Sequence, residues 1–269
     1  MLTFSRAKFE TFLACQRRFY LRYMAQMAWP HPPTAVSQQT AMALGELFHQ
    51  LAAQYYLGMI DEDQVLNELD DPLKLWWGNF LRTAPTVPEG GRPLVELTLT
   101  LPVGDHQLLG RFDLILLGGG GVHIVDWKTG KPRTAAELRH DWQTRLYLAL
   151  VLEGRQALGL PDLVAEQMQI TYWYGRDPSK SVTIRYDEAW HERNWGELSR
   201  LIAEIDVLPE ANPEAWPLTA DLKTCQTCGY RNYCGRFEVA SVLADMQAER
   251  DDEQGEKWAD LLVMEPPER

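Results

Sequence analysis

The chain has 269 residues, 45% of them hydrophobic, and a formal charge of −12. That length supports one domain with a substantial core, or one domain carrying an insertion. No apolar run is long enough to span a bilayer and no basic leader precedes an apolar stretch, so the expectation is a cytoplasmic protein without a membrane partner. In that reducing setting the four cysteines read as metal ligands or core residues rather than as a disulfide framework.

The acidity argues against broad attraction to nucleic acid, but it is unevenly placed. Residues 245–269 hold nine Asp or Glu against Arg250, Lys257 and Arg269, whereas residues 1–29 carry Arg6, Lys8, Arg17, Arg18 and Arg22 against Glu10. The last stretch is therefore expected to be an acidic tail, and a basic entry surface remains available at the other end.

Taken in order, residues 5–28 alternate apolar and basic positions at helical spacing, with Ser5 as N-cap and Cys15 inside the helix. Prolines at 30, 32 and 33 end it, and a second helix spans residues 35–57, where Gly45 and His49 share a face. Residues 61–82 predict a third helix with Leu73, Trp76, Trp77 and Phe80 on its buried side. Residues 94–103 follow as a strand holding Glu96.

Residues 106–118 and 121–130 are apolar, β-branched runs separated by glycines, which predicts two strands joined by a tight hairpin with Asp113 beside Asp126. Alternation puts Asp126 and Lys128 on one face and Trp127 on the other. Ionised carboxylates in apolar strands cost several kcal/mol unless compensated, and Mg²⁺ or Mn²⁺ suits such hard oxygen donors. The alternative is an Asp126–Lys128 ion pair on an edge strand with Asp113 satisfied by a turn. A helix over residues 134–153 then carries Gln143 and Tyr147 on one face, and Lys131, Arg133, Arg139 and Arg145 are placed for phosphate contacts. Strands at 167–175 and 181–186 and a helix at 187–208 complete an α/β pattern with a mixed sheet.

Gly110-Arg111-Phe112-Asp113, Asp126-Trp127-Lys128-Thr129-Gly130 and Gln143-Thr144-Arg145-Leu146-Tyr147, in this order, resemble the PD-(D/E)XK nuclease superfamily, and within it the RecB-type exonuclease branch. The resemblance covers most of residues 1–240. It implies a restriction-endonuclease-like sheet flanked by helices in a single domain over residues 1–244, with a helical insertion at about 58–92. It also implies a metal-dependent DNA exonuclease acting on single strands or duplex ends, in recombination, repair or CRISPR spacer acquisition, with a helicase or CRISPR adaptation complex as possible partners. Asp113, Asp126 and Lys128 would be catalytic. His49 and the Trp127 carbonyl would join the two aspartates as metal ligands, with Glu96 secondary, and Gln143, Tyr147, Arg17 and Arg18 would contact substrate. A non-catalytic DNA-binding subunit on the same scaffold is the competing expectation.

Cys225, Cys228 and Cys234 fall within ten residues and need a fourth partner, for which Cys15 is the remaining cysteine. Four thiolates suit tetrahedral zinc or a cubane iron–sulfur cluster. One early and three late cysteines resemble the iron-staple nucleases of this branch, which implies a [4Fe–4S] cluster in a module over residues 217–240 joined to Cys15.

Overall fold

The computed structural model describes residues 1–28, 36–209 and 212–236. The linker after the first helix, the acidic tail and the end of the cysteine module lie outside these residues. The described residues form two compact units, 1–9 with 36–207 and 10–28 with 208–236.

β1 (Thr3–Phe4) opens the first unit, and α1 (Arg6–Ala14) passes into the second, followed there by α2 (Gln16–Phe19) and a π-helical turn, Tyr20–Met24. The first unit resumes with α3 (Val36–Tyr56), α4 (Glu62–Glu68) and α5 (Leu73–Thr83), then β2 (Arg92–Val103), β3 (His106–Gly118) and β4 (Gly121–Lys128). After them come α6 (Ala135–His140), α7 (Trp142–Glu153), β5 (Met168–Tyr174), β6 (Val182–Arg185) and α8 (Glu188–Asp206). In the second unit, α9 is Lys223–Gln226. None of the described helices is long and apolar enough to cross a membrane.

The six strands form one mixed sheet, in the order β1-β3-β4-β5-β6 with β2 along the other side of β3. β4 and β5 are parallel, as are β1 and β3, and the remaining pairs are antiparallel. The β3–β4 hairpin closes at Gly118 opposite Gly121, and its two loop residues, Gly119 and Gly120, have φ of 60° and 78°. Both values lie in the left-handed region that a two-residue turn needs and that glycine reaches without strain.

One side of β3 is only partly paired. β1 meets it at Gln107 and Leu108, and β4 begins at Leu114, so the ladder opens over residues 109–113. That opening positions the candidate site.

One face of the sheet is covered by α3, α4 and α5. Phe48, Trp76, Trp77, Phe80, Trp127 and Trp173 form an aromatic core there, with Phe48 stacked on Trp173 at 5.6 Å between centroids. The segment expected as an insertion is thus part of this core, and it forms two helices, α4 and α5, rather than one. Phe48 is fully buried and immediately precedes His49. Phe48→Ala is expected to cost about 3–5 kcal/mol, as large-to-small core changes of this kind do, measured as a shift in denaturant midpoint. α7 packs on the opposite face, where its Leu150 abuts Gly110.

The expected helix over 5–28 is interrupted. Cys15 is extended, at φ −167° and ψ 112°, and its sulfur accepts from the Arg18 amide as the N-cap of α2. In this second unit Phe19 stacks on Trp216 at 5.9 Å, with Phe12 and Tyr20 around the same indole. Arg17 is buried: its Nε donates to the Trp216 carbonyl at 2.8 Å, and its two Nη atoms donate to Glu214 at 3.3 and 3.1 Å.

Candidate active site

Continuing the ladder registers places Glu96 opposite Asp113, and Asp113 opposite Asp126. Three carboxylates therefore occupy one row across β2, β3 and β4, where β3 and β4 begin to part. Asp113 substitutes for the missing ladder bond, its Oδ2 accepting from the Trp127 amide at 2.9 Å. Glu96 has φ of 49°, an uncommon conformation for a residue with a side chain and one held where surrounding structure over-determines it. Arg111 clamps the Glu96 carboxylate with Nε and Nη2 at 2.9 and 2.6 Å.

α3 brings His49 to this row. Its Nδ1 lies 3.3 Å from Asp113 Oδ1, and ligand atoms of His49, Glu96 and Asp113 all lie within 4.8 Å of one another. Gly45, one turn earlier, allows the approach, because a Cβ there would sit 3.1 Å from Thr129 Oγ1. Helix and Asp-x-Lys-Thr segments thus meet at a glycine. These groups line a cleft of about 610 Å³ together with Gln50, Gln54 and Tyr147.

Asp126 and Lys128 share a face, as alternation requires, and Trp127 enters the aromatic core. Lys128 Nζ stands 2.5 Å from Asp126 Oδ1 as an ion pair. Oδ2 accepts from Gln143 Nε2. Burial pushes the Asp126 carboxyl up, Lys128 pulls it back and Asp113 adds to the rise, leaving its pKa raised. At His49 burial pulls downward, but the Asp113 hydrogen bond and the charges of Asp113, Asp126 and Glu96 outweigh it and raise the pKa.

A divalent cation fits this donor set. Two carboxylates and an imidazole, from Glu96, Asp113 and His49, converge within ligand range; Asp126 is not among these three, and its Oδ1 faces Lys128 Nζ at 2.5 Å. Hard oxygen-rich sites of this kind suit Mg²⁺ or Mn²⁺. Millimolar Mn²⁺ is expected to raise the melting temperature of the wild-type chain by a few degrees, as a native-state ligand at roughly 100 times its Kd does. The shift should vanish in Asp113→Asn; an equal shift in both proteins would place the cation elsewhere.

Gln143 is 8% exposed and faces Asp126 and Lys128, beside the strand ends that hold the carboxylates. Its presentation comes from a break unseen in the sequence: the helix over 134–153 divides at Asp141, which caps α7 by accepting from the Gln143 amide at 2.7 Å. Tyr147 lines the cleft, packs at a tilt against Phe112 with ring centroids 4.4 Å apart, and its hydroxyl donates to the Arg111 carbonyl.

Three of the four basic residues expected at phosphates are engaged within the fold, and Lys131 is exposed. Arg133 pairs with Asp141, Arg139 with Asp187 at 3.4 Å, and Arg145 with Glu197 at 2.5 Å. Arg17 and Arg18 belong to the second unit, where the Arg17 guanidinium is spent on Trp216 and Glu214. Glu96, expected as a secondary ligand, lies in the row, and the residue missed was Arg6, which reaches Gln143 from 137 residues away.

Residues 3–235 match the sequence profile of the PD-(D/E)XK nuclease superfamily. The chain belongs to that superfamily. Among solved structures, this PD-(D/E)XK chain is similar to a candidate exonuclease from Eubacterium rectale, at 11% identity over 75% of this chain and 79% of that one, with a TM-score of 0.40. It is also similar to SSO0001, at 16% identity over 85% and 83% of the two chains, with a TM-score of 0.36. No curated protein matches the sequence.

The second unit gathers all four cysteines, none in a disulfide. Burial raises the thiol pKa of Cys228 and of Cys234, and the other cysteines add to the rise in both. Donors reach three of the sulfurs: the Arg18 amide at Cys15, 3.5 Å, Arg236 Nη1 at Cys225, 3.6 Å, and the Tyr230 backbone at Cys228.

Proposed function

We propose that this PD-(D/E)XK protein is a divalent-metal-dependent DNA exonuclease of the RecB-type branch, acting on single strands or duplex ends. The observation that carries the reading is the carboxylate row Glu96, Asp113, Asp126, with Lys128 paired to its buried end and His49 at its open end. Asp113, Asp126, His49 and the Trp127 carbonyl, with Glu96 added, would hold Mg²⁺ or Mn²⁺. When bound, the cation supplies Lewis-acid stabilisation of charge on the phosphoryl group and lowers the pKa of a water.

The chain's own residues do the rest. Lys128 offers fixed positive charge and an N–H donor beside the reacting centre, which orients the attacking water and stabilises charge as it develops. Asp126 holds that ammonium at 2.5 Å. Tyr147 and Arg111 border the cleft; we assign Tyr147 to the nucleotide, while Arg111 holds the Glu96 carboxylate. The pathway, whether recombination, repair or spacer acquisition inside a helicase or CRISPR adaptation complex, follows from the branch and is part of the proposal.

For the second unit we infer a [4Fe–4S] cluster on Cys15, Cys225, Cys228 and Cys234. Burial, with neighbouring cysteines adding, raises the thiol pKa of Cys228 and Cys234, so a cation is needed for them to become thiolates, and N–H donors at three of the four sulfurs are the outer-sphere contacts that metal-bound thiolates take.

The function is tested by incubating anaerobically purified protein with end-labelled single- and double-stranded DNA in Mn²⁺, Mg²⁺ or EDTA. Metal-dependent release of nucleotides is the expected result. A folded, metal-binding protein that retains DNA without cutting it would favour the DNA-binding reading instead.

A further inference from the structure

We propose that Arg6 is a positioning residue for the Lys128–Asp126 pair, acting through Gln143, whose amide it holds in the one orientation that serves both charges; this rests on the nuclease reading above.

A carboxamide has an acceptor end and a donor end. Here Oε1 accepts from Lys128 Nζ at 3.2 Å and Nε2 donates to Asp126 Oδ2. Rotating the amide by half a turn would set its NH₂ against an ammonium and its carbonyl against a carboxylate. Gln143 is 8% exposed, so water offers little compensation for either mismatch.

Arg6 Nη1 donates to the same Oε1 at 2.9 Å. A guanidinium donates and never accepts, so its presence alone selects the oxygen for that position. Two cations then converge on one amide oxygen, and the opposite end is left for Asp126.

Arg6 also acts on the backbone of Gln143. Its Nη2 lies 3.5 Å from Asp141 Oδ2, and Asp141 is the cap whose Oδ1 fixes the Gln143 amide at 2.7 Å. The base of Arg6 is itself anchored: Leu2 donates to His106 Nδ1 at 3.0 Å, Gln107 donates to the Leu2 carbonyl at 3.0 Å, and Phe4 is fully buried. A side chain that could have served as a basic surface contact is instead built into the support of the site.

Steady-state kinetics on Arg6→Met, Arg6→Lys, Gln143→Met and the Arg6→Met/Gln143→Met double variant test this. Arg6→Met should lower kcat about tenfold at unchanged KM, the rate equivalent of one charge-assisted hydrogen bond. Arg6→Lys should recover most of the loss, and the double variant should be no slower than Gln143→Met. A raised KM with kcat intact would make Arg6 a substrate contact, and multiplicative losses would make it independent of Gln143; either overturns the proposal. The Gln143 side-chain amide resonances supply a readout without catalysis. They should shift in Arg6→Met and stay in place in Arg139→Met. Unmoved resonances in Arg6→Met refute the positioning role whether or not the protein cleaves DNA, while moved resonances in a wild type that never cleaves would count against the nuclease reading alone.

Discussion

Lys128→Met is expected to lower phosphodiester hydrolysis by roughly 10²–10⁴-fold, the usual scale for a positioned donor or proton-transfer group, while the protein still folds. The reason for both halves lies at Asp126. Its Oδ1 faces Lys128 Nζ at 2.5 Å, so methionine leaves a buried carboxylate without that cation. The carboxyl answers by holding its proton, because burial already raises its pKa and Lys128 is the charge that pulls it back. A neutral Asp126 avoids the cost of an unpaired buried charge but is a poorer metal ligand, so the variant loses both the ammonium and an anionic donor.

The sign of the pH dependence follows. A carboxyl whose folded pKa stands above its unfolded value contributes stability that is fully present below about pH 4, the unfolded range, and lost as pH rises through the folded value. Relative to wild type, Lys128→Met should therefore lose stability as pH rises through the raised Asp126 value. Wild-type cleavage by the variant would remove Lys128 from the mechanism. A stability difference that grew toward acid would contradict the account of Asp126.

The second large effect is expected in the cysteine unit. Cys225→Ser should abolish visible absorption and iron content and lower the melting temperature on the order of 10 °C, since a bound centre joining Cys15 to Cys225, Cys228 and Cys234 closes a long loop worth several kcal/mol. Cys225 is 9% exposed, and Arg236 donates to its sulfur, so the serine leaves a poorer ligand in a site shaped for sulfur. A brown wild type with roughly four irons per chain supports the cluster. A colourless wild type with about one zinc replaces it with a structural zinc site, and one with neither metal would mean unligated thiols.

Much of the carboxylate row was legible because its geometry depends on short-range rules. Alternation along β4 put Asp126 and Lys128 on one face, and the glycine turn fixed the register that brings Asp113 alongside. Glu96 was less visible, because its recruitment depends on a backbone at φ 49°, a conformation that no residue type at that position signals. Gln143 was expected at the substrate from the family resemblance and its two-way hydrogen-bonding amide, on a stretch, 134–153, that read as one helix. The break at Asp141, itself a good N-cap, sets a new start and turns Gln143 inward. Arg17 looked like part of a basic surface, and only the return of the chain at Glu214 and Trp216 shows where its guanidinium goes.

The second unit is assembled from two stretches separated by nearly two hundred residues, which matters while the chain is being made. At roughly 5–20 residues per second, Phe12, Cys15 and Phe19 leave the ribosome on the order of ten seconds or more before Trp216 and Cys225 follow. During that interval the helix carries apolar rings and an open thiol with no partner from its own unit. That interval exposes residues 10–28 to nascent-chain aggregation and chaperone capture.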